Sequence, residues 1–502
     1  MQSRPVKSLK LLFVLLFSIP AQPTRANIGY GETVPLSLLD CIQLALQNNL
    51  EIQISRLQPE MDEYTLKSSF GNYDPTLDMN VSQNFRLSPG VTDPNSILGL
   101  GTSSESNTER FGPSLRGISG YGTSYDLRGQ LVRQSGTFFP SFQYNTDLGI
   151  SVTQPLLKNF LMNSQRQTIL VNKHTLKISE LALLHQIIRT VNSVEQAYYE
   201  LVYNRDNVRV QEASLSLAEK SFAETSRKIE LGTLAPLDGK QAQSQVAGRK
   251  ADLLNARRSL DSQMNTLKGL LSDDVASWLP IEIQPTDRLL PLPKVFDLQQ
   301  SWHKGLSSRP DILQRKETLE RQNVVLRFRK NQVLPSLDLQ LTYGHLGVGQ
   351  NAPRSFDGIR TGNGQRYSYG VVFSMPLSNR RAKNNYRESR IQKERMLKEY
   401  KQLEQQIVVE IDNAVKSAQT AYERISATRE SRLYAEAALE AEEKKLNNGK
   451  STSFFVLQLQ RDLTAERSTE LRALADYNQA LSSLWLSEGT TLDRHKLDVR
   501  IE

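Results

Sequence analysis

The chain is written twice, and that duplication constrains its fold more than any other feature. The passage Asp74-Pro75-Thr76-Leu77-Asp78 returns as Leu334-Pro335-Ser336-Leu337-Asp338, at 335 − 75 = 260. Upstream, Leu46 and Ile52 fall opposite Leu306 and Ile312 at the same offset. Downstream, GISVTQP (Gly149 to Pro155) returns as GVVFSMP (Gly370 to Pro376), at 370 − 149 = 221. Further on, Gly232, Gln241 and Gln243 match Gly449, Gln458 and Gln460, at 449 − 232 = 217. Three segments with constant internal offsets identify a tandem duplication of one unit. The first copy carries 260 − 221 = 39 additional residues between its paired strand segments.

Within each copy, two strand-like segments interrupt long helical ones. Leu77, Met79, Val81 and Phe85 alternate with Thr76, Asp78, Asn80, Ser82 and Asn84. Tyr144, Leu148, Ile150 and Val152 alternate with Asn145, Asp147, Ser151 and Thr153. Leu337, Leu339, Leu341 and Tyr343 alternate with polar neighbours, as do Tyr367, Tyr369, Val371, Phe373 and Met375 apart from Val372. This period of two over about 10 residues suits a tilted strand crossing an outer membrane, with its apolar side to lipid and its polar side to water. A soluble sandwich shows the same alternation, but four strands are too few to build its core. Four strands also cannot close on themselves, since small barrels use about 8 and lipid satisfies no open edge. Copies of the chain are therefore expected to share one barrel.

The helical segments read as rods. Between Pro155 and Pro236 there is no proline, and the first glycine is Gly232, which allows a helix on the order of 110 Å. The second copy offers the same length after Pro376. Shorter segments, Leu38 to Ser69 with Leu237 to Leu271 and Asp297 to Val333 with Phe454 to Ser487, are expected to stack in pairs alongside. Ile407, Ile411, Ala414, Ala418, Ala421 and Ile425, then Ala435 and Leu439, keep coiled-coil spacing. A solvated filament would explain the rods but not the strands.

The expected organisation is a leader over 1–26, a first repeat over 27–271, a proline-rich connector over 272–296, a second repeat over 297–488 and a tail over 489–502. Arg4, Lys7 and Lys10 precede an apolar run from Leu11 to Ile19 and a Thr24-Arg25-Ala26 cleavage signature. That run is shorter than the roughly 20 residues of a spanning helix. From Leu87 to Gly136 the composition is that of an exposed loop, with Tyr121 to Val132 read as an extra hairpin arm.

The formal charge of +8 falls to 8 − 4 = +4 once the four basic residues before Asn27 are removed, which is no nucleic-acid signature. The lone Cys41 sits in the helical pattern Leu38, Ile42, Ala45 and excludes an internal disulfide and a cysteine metal cluster. The five histidines, His174, His185, His303, His345 and His495, show no metal-ligand spacing. No glycine-rich phosphate loop follows a strand. No catalytic group, metal or cofactor is expected.

The opening LSLLDCIQLALQNNLEI, the passages GNYDPTLDMNVSQ and VLPSLDLQLTYG, the returns VTQPLL and FSMPLS, and the tips LGTLAPLDGKQAQ and NNGKSTSFFVLQLQ resemble the TolC family of outer-membrane efflux proteins. The resemblance covers nearly the whole chain after the leader. It implies a mainly α chain with a membrane β-barrel: a homotrimer whose twelve-stranded barrel, four strands from each chain, continues as a long helical tunnel through the periplasm. It further implies a passive channel of a tripartite efflux pump or type I secretion system, partnered by a periplasmic adaptor and an inner-membrane transporter of RND or ABC type. The runner-up is a coiled-coil envelope spacer without transport.

The resemblance also assigns places. Pro75, Pro155, Pro335 and Pro376 stand at helix–strand junctions. Gly232, Thr233 and Leu234, with Gly449, Lys450 and Ser451, form the tip turns against which an adaptor docks. Asp238, Gln241, Phe454, Phe455 and Gln458 surround the tunnel aperture. Family members often carry acids six and nine positions after the second glycine; here Phe455 and Gln458 stand there, while Asp238 keeps the acid six after Gly232. Two readings of the rings are open. A phenyl from each copy closes the pore by excluding water, or both rings pack the helix pair together.

Overall fold

The structure, a computed structural model, describes residues 33–90, 103–137, 139–291 and 296–497. The leader read at 1–26 lies outside these residues. In chain order the elements are β1 (Thr33–Leu36), α1 (Leu38–Asn48), α2 (Leu50–Phe70), β2 (Thr76–Ser88), β3 (Ser104–Ile118), β4 (Ser124–Gly136), β5 (Phe139–Pro155), α3 (Ser164–Glu230) and α4 (Pro236–Leu271). There follow α5 (Val275–Trp278), β6 (Glu282–Pro285), α6 (Leu298–Ser308), α7 (Pro310–Asn331), β7 (Ser336–Gly349), α8 (Ala352–Arg360), β8 (Gln365–Ser374), α9 (Arg380–Asn447), α10 (Ser453–Glu488) and α11 (Thr491–Arg494).

The repeat holds at the level of single helix breaks. The segment from Leu38 is interrupted at Asn49 and the one from Leu298 at Arg309, 309 − 49 = 260 residues apart. Asn49 has extended backbone, and its Oδ1 accepts from the amides of Glu51 and Ile52, capping α2. At Arg309 the same break precedes Pro310, whose missing N–H costs nothing at a first helical position. The rods α3 and α9 contain 67 and 68 residues, about 100 Å each. They begin later than the prolines allowed. Asn163 caps α3 by accepting from Arg166 N–H at 2.7 Å, and Asn379 lies at φ +43 immediately before α9.

The chain divides into two compact units. One takes residues up to Pro59, Ser179–Arg315 and everything from Tyr400 on. Its two largest apolar clusters fall one in each repeat. In the first, Cys41, Ile42 and Ala45 of α1 meet Val194, Tyr198 and Leu201 of α3 and Leu267 and Leu271 of α4. In the second, the expected seam positions Ile407, Ile411, Ala418 and Ile425 are buried against Ala473, Tyr477, Leu481 and Leu484 of α10. Duplication explains the correspondence, and Gly305 shows its detail. It occupies the place of Ala45, and a Cβ there would lie 2.4 Å from Ile411 Cδ1. The connector is more than a linker, because β6 within it pairs in parallel with β1.

The other unit, Glu60–Ile178 with Lys316–Glu399, contains one antiparallel sheet of order β2-β3-β4-β5-β7-β8. All four expected strands are there. The count of four per chain is corrected to six, because much of the stretch read as a loop forms β3 and β4, a hairpin inserted between β2 and β5. The arm expected over Tyr121 to Val132 corresponds only to its turn and most of β4.

The two faces of the sheet are chemically distinct. Leu77, Leu115, Leu127, Ile150, Tyr343 and Tyr367 form one unbroken row across all six strands. On the opposite face the adjacent row is Thr76, Arg116, Asp126, Ser151, Thr342 and Ser368. Within the chain β2 and β8 are edges, with β8 exposed along its whole length.

Candidate functional site

Both tips are built by one device. Each rod ends in a glycine with left-handed backbone, Gly232 at φ +74 and Gly449 at φ +69. Gly232 N–H donates to Ile229 O at 2.9 Å and Thr233 N–H to Lys228 O at 2.9 Å. Gly449 N–H donates to Leu446 O at 3.0 Å and Lys450 N–H to Lys445 O at 2.9 Å. This pair of bonds is the Schellman arrangement, which satisfies the last carbonyls of a helix and reverses the chain. Glycine is required because a Cβ disfavours that backbone region.

The return helices start differently. At the first tip Pro236 opens α4, and Asp238 reaches back to accept from Ala235 N–H at 3.2 Å. Its carboxylate is thereby committed to holding the helix start, where a negative charge also suits the helix dipole. Leu234 is half-buried and Gln241 is exposed. At the second tip Ser451 donates its hydroxyl to Glu442, which Lys445 also binds at 2.8 Å. The bonds from Lys445 and then Ser451 hold the Glu442 carboxyl below its ordinary pKa.

Phe454 and Phe455 lie in the first turn of α10, 56% and 53% exposed, with ring centroids 5.7 Å apart and edge-on. Neither packs the helix pair. That contact belongs to Val456, which is buried in a small cluster with Leu439 and Leu463. Gln458 is exposed one turn on.

The four junction prolines bracket the sheet. Pro75 and Pro335 immediately precede β2 and β7, Pro155 is the last residue of β5, and Pro376 follows β8 by two residues. A proline without an N–H is suited to the residue where a ladder begins or ends.

A seam between the two repeats was not read from sequence. Gln196, Glu200, Asn207, Gln211 and Ser214 on α3 face Thr464, Ser468, Arg472, Gln479 and Ser483 on α10. The partners include Arg472 with both Glu200 oxygens at 2.8 Å, Ser468 with Asn207 at 2.9 Å and Ser214 with Thr464 at 3.1 Å. The signal was present as a polar stripe at helical spacing. Below it lies a buried clasp, with Glu195 wholly buried between Ser482 and the ring of His495, whose Nε2 is 2.6 Å away.

Arg309 binds Asp311 through two nitrogens, and its guanidinium also reaches Ser487 O and Glu410. Burial pushes the Asp311 carboxyl up, and the Arg309 bonds outweigh it, leaving the group below its ordinary pKa. His185, lining the same recess, is pushed down chiefly by burial. His174 bonds Glu317 at 2.9 Å and His345 bonds Tyr343 at 3.0 Å. Cys41 is fully buried, and burial, with Asp40 and Asp287 adding to it, pushes its thiol up to about 12.

The family model described as outer membrane efflux protein matches residues 105–272 and 303–490. Among solved structures, the chain resembles the outer-membrane channel OprN, at 15% identity, 90% of this chain, 89% of that one and a TM-score of 0.66. It resembles the Campylobacter jejuni CmeC outer membrane channel at 16% identity, 90% and 85% coverage and a TM-score of 0.64. The outer membrane protein VceC from Vibrio cholerae matches at 16% identity, 90% and 96% coverage and a TM-score of 0.64.

Proposed function

Because the chain belongs to the outer membrane efflux protein family, we propose that it forms the outer-membrane channel and periplasmic conduit of a tripartite efflux pump or type I secretion system. Its place is the outer membrane, and its family is one of channels rather than enzymes. The observation that carries the reading is the sheet, one face of which bears an apolar row across all six strands while the adjacent row on the other face is polar. A wall of that kind separates lipid from water. Its two edges call for further copies, and a homotrimer is the assembly the family resemblance implies. Substrate then moves passively through a polar lumen. The energy comes from an inner-membrane transporter of RND or ABC type, joined through a periplasmic adaptor at the glycine tips.

The aperture is assigned to the second tip. Phe455, exposed within the chain, converges with its copies on the axis and narrows the conduit with apolar rings. Asp238 is occupied in capping and Gln458 supplies the next, polar ring. Conductance of the purified trimer in a planar bilayer tests the whole reading. Discrete channels are expected, and a trimer that inserts without conducting would favour the envelope spacer.

A further inference from the structure

The inserted hairpin of β3 and β4 is hydrogen-bonded into the sheet between β2 and β5. Its register against β2 is unbroken from Thr76 opposite Arg116 to Ser88 opposite Ser104. Toward the turn its residues follow the faces of the sheet: Phe111, Leu115, Leu127 and Leu131 continue the apolar side, Arg116, Asp126 and Arg128 fall on the polar side, and only nearer the far end does a Glu109–Arg133 pair at 3.2 Å enter the apolar side. There the charges neutralise one another, with Arg128 2.9 Å from Asp126 and Arg116 between Asp126 and Asp78 at 3.7 and 3.9 Å. An arm standing in water has no need of such a band, and it would leave facing edges of β2 and β5 without partners. The connecting turn, Ser119 to Thr123, lies at the Pro155 end of β5, where a Cβ on Gly122 would meet Asn159 O at 2.7 Å. A short turn at the helix side and a longer link at the far side is the pattern of outer-membrane strands.

Resting on the trimeric channel reading above, we propose that three copies close an eighteen-stranded barrel, six strands from each, with β2 of one copy hydrogen-bonded to β8 of the next. The direction of the strands permits it, since β2 and β8 run antiparallel in the sheet and alternation continues across the join. Barrel diameter grows roughly linearly with strand number, so this lumen is about half again as wide as a twelve-stranded one. Barrels of 16–18 strands leave an open aqueous channel. The membrane portion thereby admits bulkier solutes than a twelve-stranded wall, and the Arg116–Asp126–Arg128 cluster lines it.

The test uses assembled protein in membranes, with Cys41→Ser removing the native thiol. Val81→Cys with Phe111→Cys, and Ser82→Cys with Arg110→Cys, sample both kinds of antiparallel neighbour across β2 and β3. At least one pair is expected to oxidise within the chain, and Tyr369→Cys is expected to link to a cysteine at Leu77, Met79 or Val81 of a neighbouring copy. In the protein without these cysteines, polymer exclusion of the open membrane end should give a radius about 1.5 times that of a twelve-stranded channel. A conducting trimer in which Val81→Cys instead links to Leu148→Cys, pairing β2 directly with β5, would overturn the eighteen-stranded barrel and leave the channel reading intact. Links as expected in a trimer that does not conduct would support the strand count and overturn the channel reading.

Discussion

At the residue scale, the proposed aperture rests on Phe455, whose exposure within the chain leaves the ring free to act between copies. Phe455→Ser is expected to raise single-channel conductance while leaving trimer yield unchanged. Conductance at the wild-type level would move the constriction to Asp238 or Gln458. Arg309 and Asp311 illustrate the opposite case, a pair spent on structure. Asp311→Asn is expected to cost about 1.5–3 kcal/mol of helical-unit stability at neutral pH, the range for a hydrogen bond to a charged group. The folded pKa of Asp311 lies below its unfolded value, so its contribution is complete above about pH 4 and is lost as pH falls through the folded pKa. Melting curves of the two proteins should therefore converge in acid. Cys41, with its thiol raised and buried, should resist alkylation until the protein unfolds.

At the element scale, much was legible because two signals are strong. Alternation located the four strands of the duplicated units, and the absence of proline located the rods. The rods started late because Asn163 and Asn379 were not recognised as their boundaries. The hairpin was missed for a physical reason. In β3 and β4 glycine, proline and charge are dense, and the outward positions include Pro113 and Gly129, which carry no strand signal of their own. Only register against β2 and β5 reveals that they complete an apolar row. The tips were legible as glycine turns, but the capping duties of Asp238 and Ser451 depend on distances that sequence does not contain. The two faces of β7 make a direct test. Leu339→Arg should reduce membrane insertion by roughly 2–4 kcal/mol, whereas Gln340→Arg should be mild. Equal effects on insertion yield would mean that the sheet does not face lipid.

At the scale of the whole molecule, duplication explains why two repeats share breaks, tips and cores, while assembly explains what one chain leaves unfinished. Mature protein in mild detergent is expected to run as a homotrimer, with chemical crosslinking stopping at three. A stable monomer that keeps its full β signal would count against the shared barrel. The sheet also has a consequence for how the molecule is made. Five strand pairings hold it together, and four join strands that are neighbours in sequence. The fifth, β5 with β7, brings Pro155 opposite Asp338, closing a loop of 338 − 155 = 183 residues. Closure of that length carries an entropic cost and slows folding, because local pairings form before distant ones. A chain exported as far as its first repeat therefore holds a four-stranded ribbon with β5 open to any passing strand, which is a template for aggregation. Until β7 arrives, this edge needs shelter, and biogenesis is most vulnerable at the joint between the two copies of the unit.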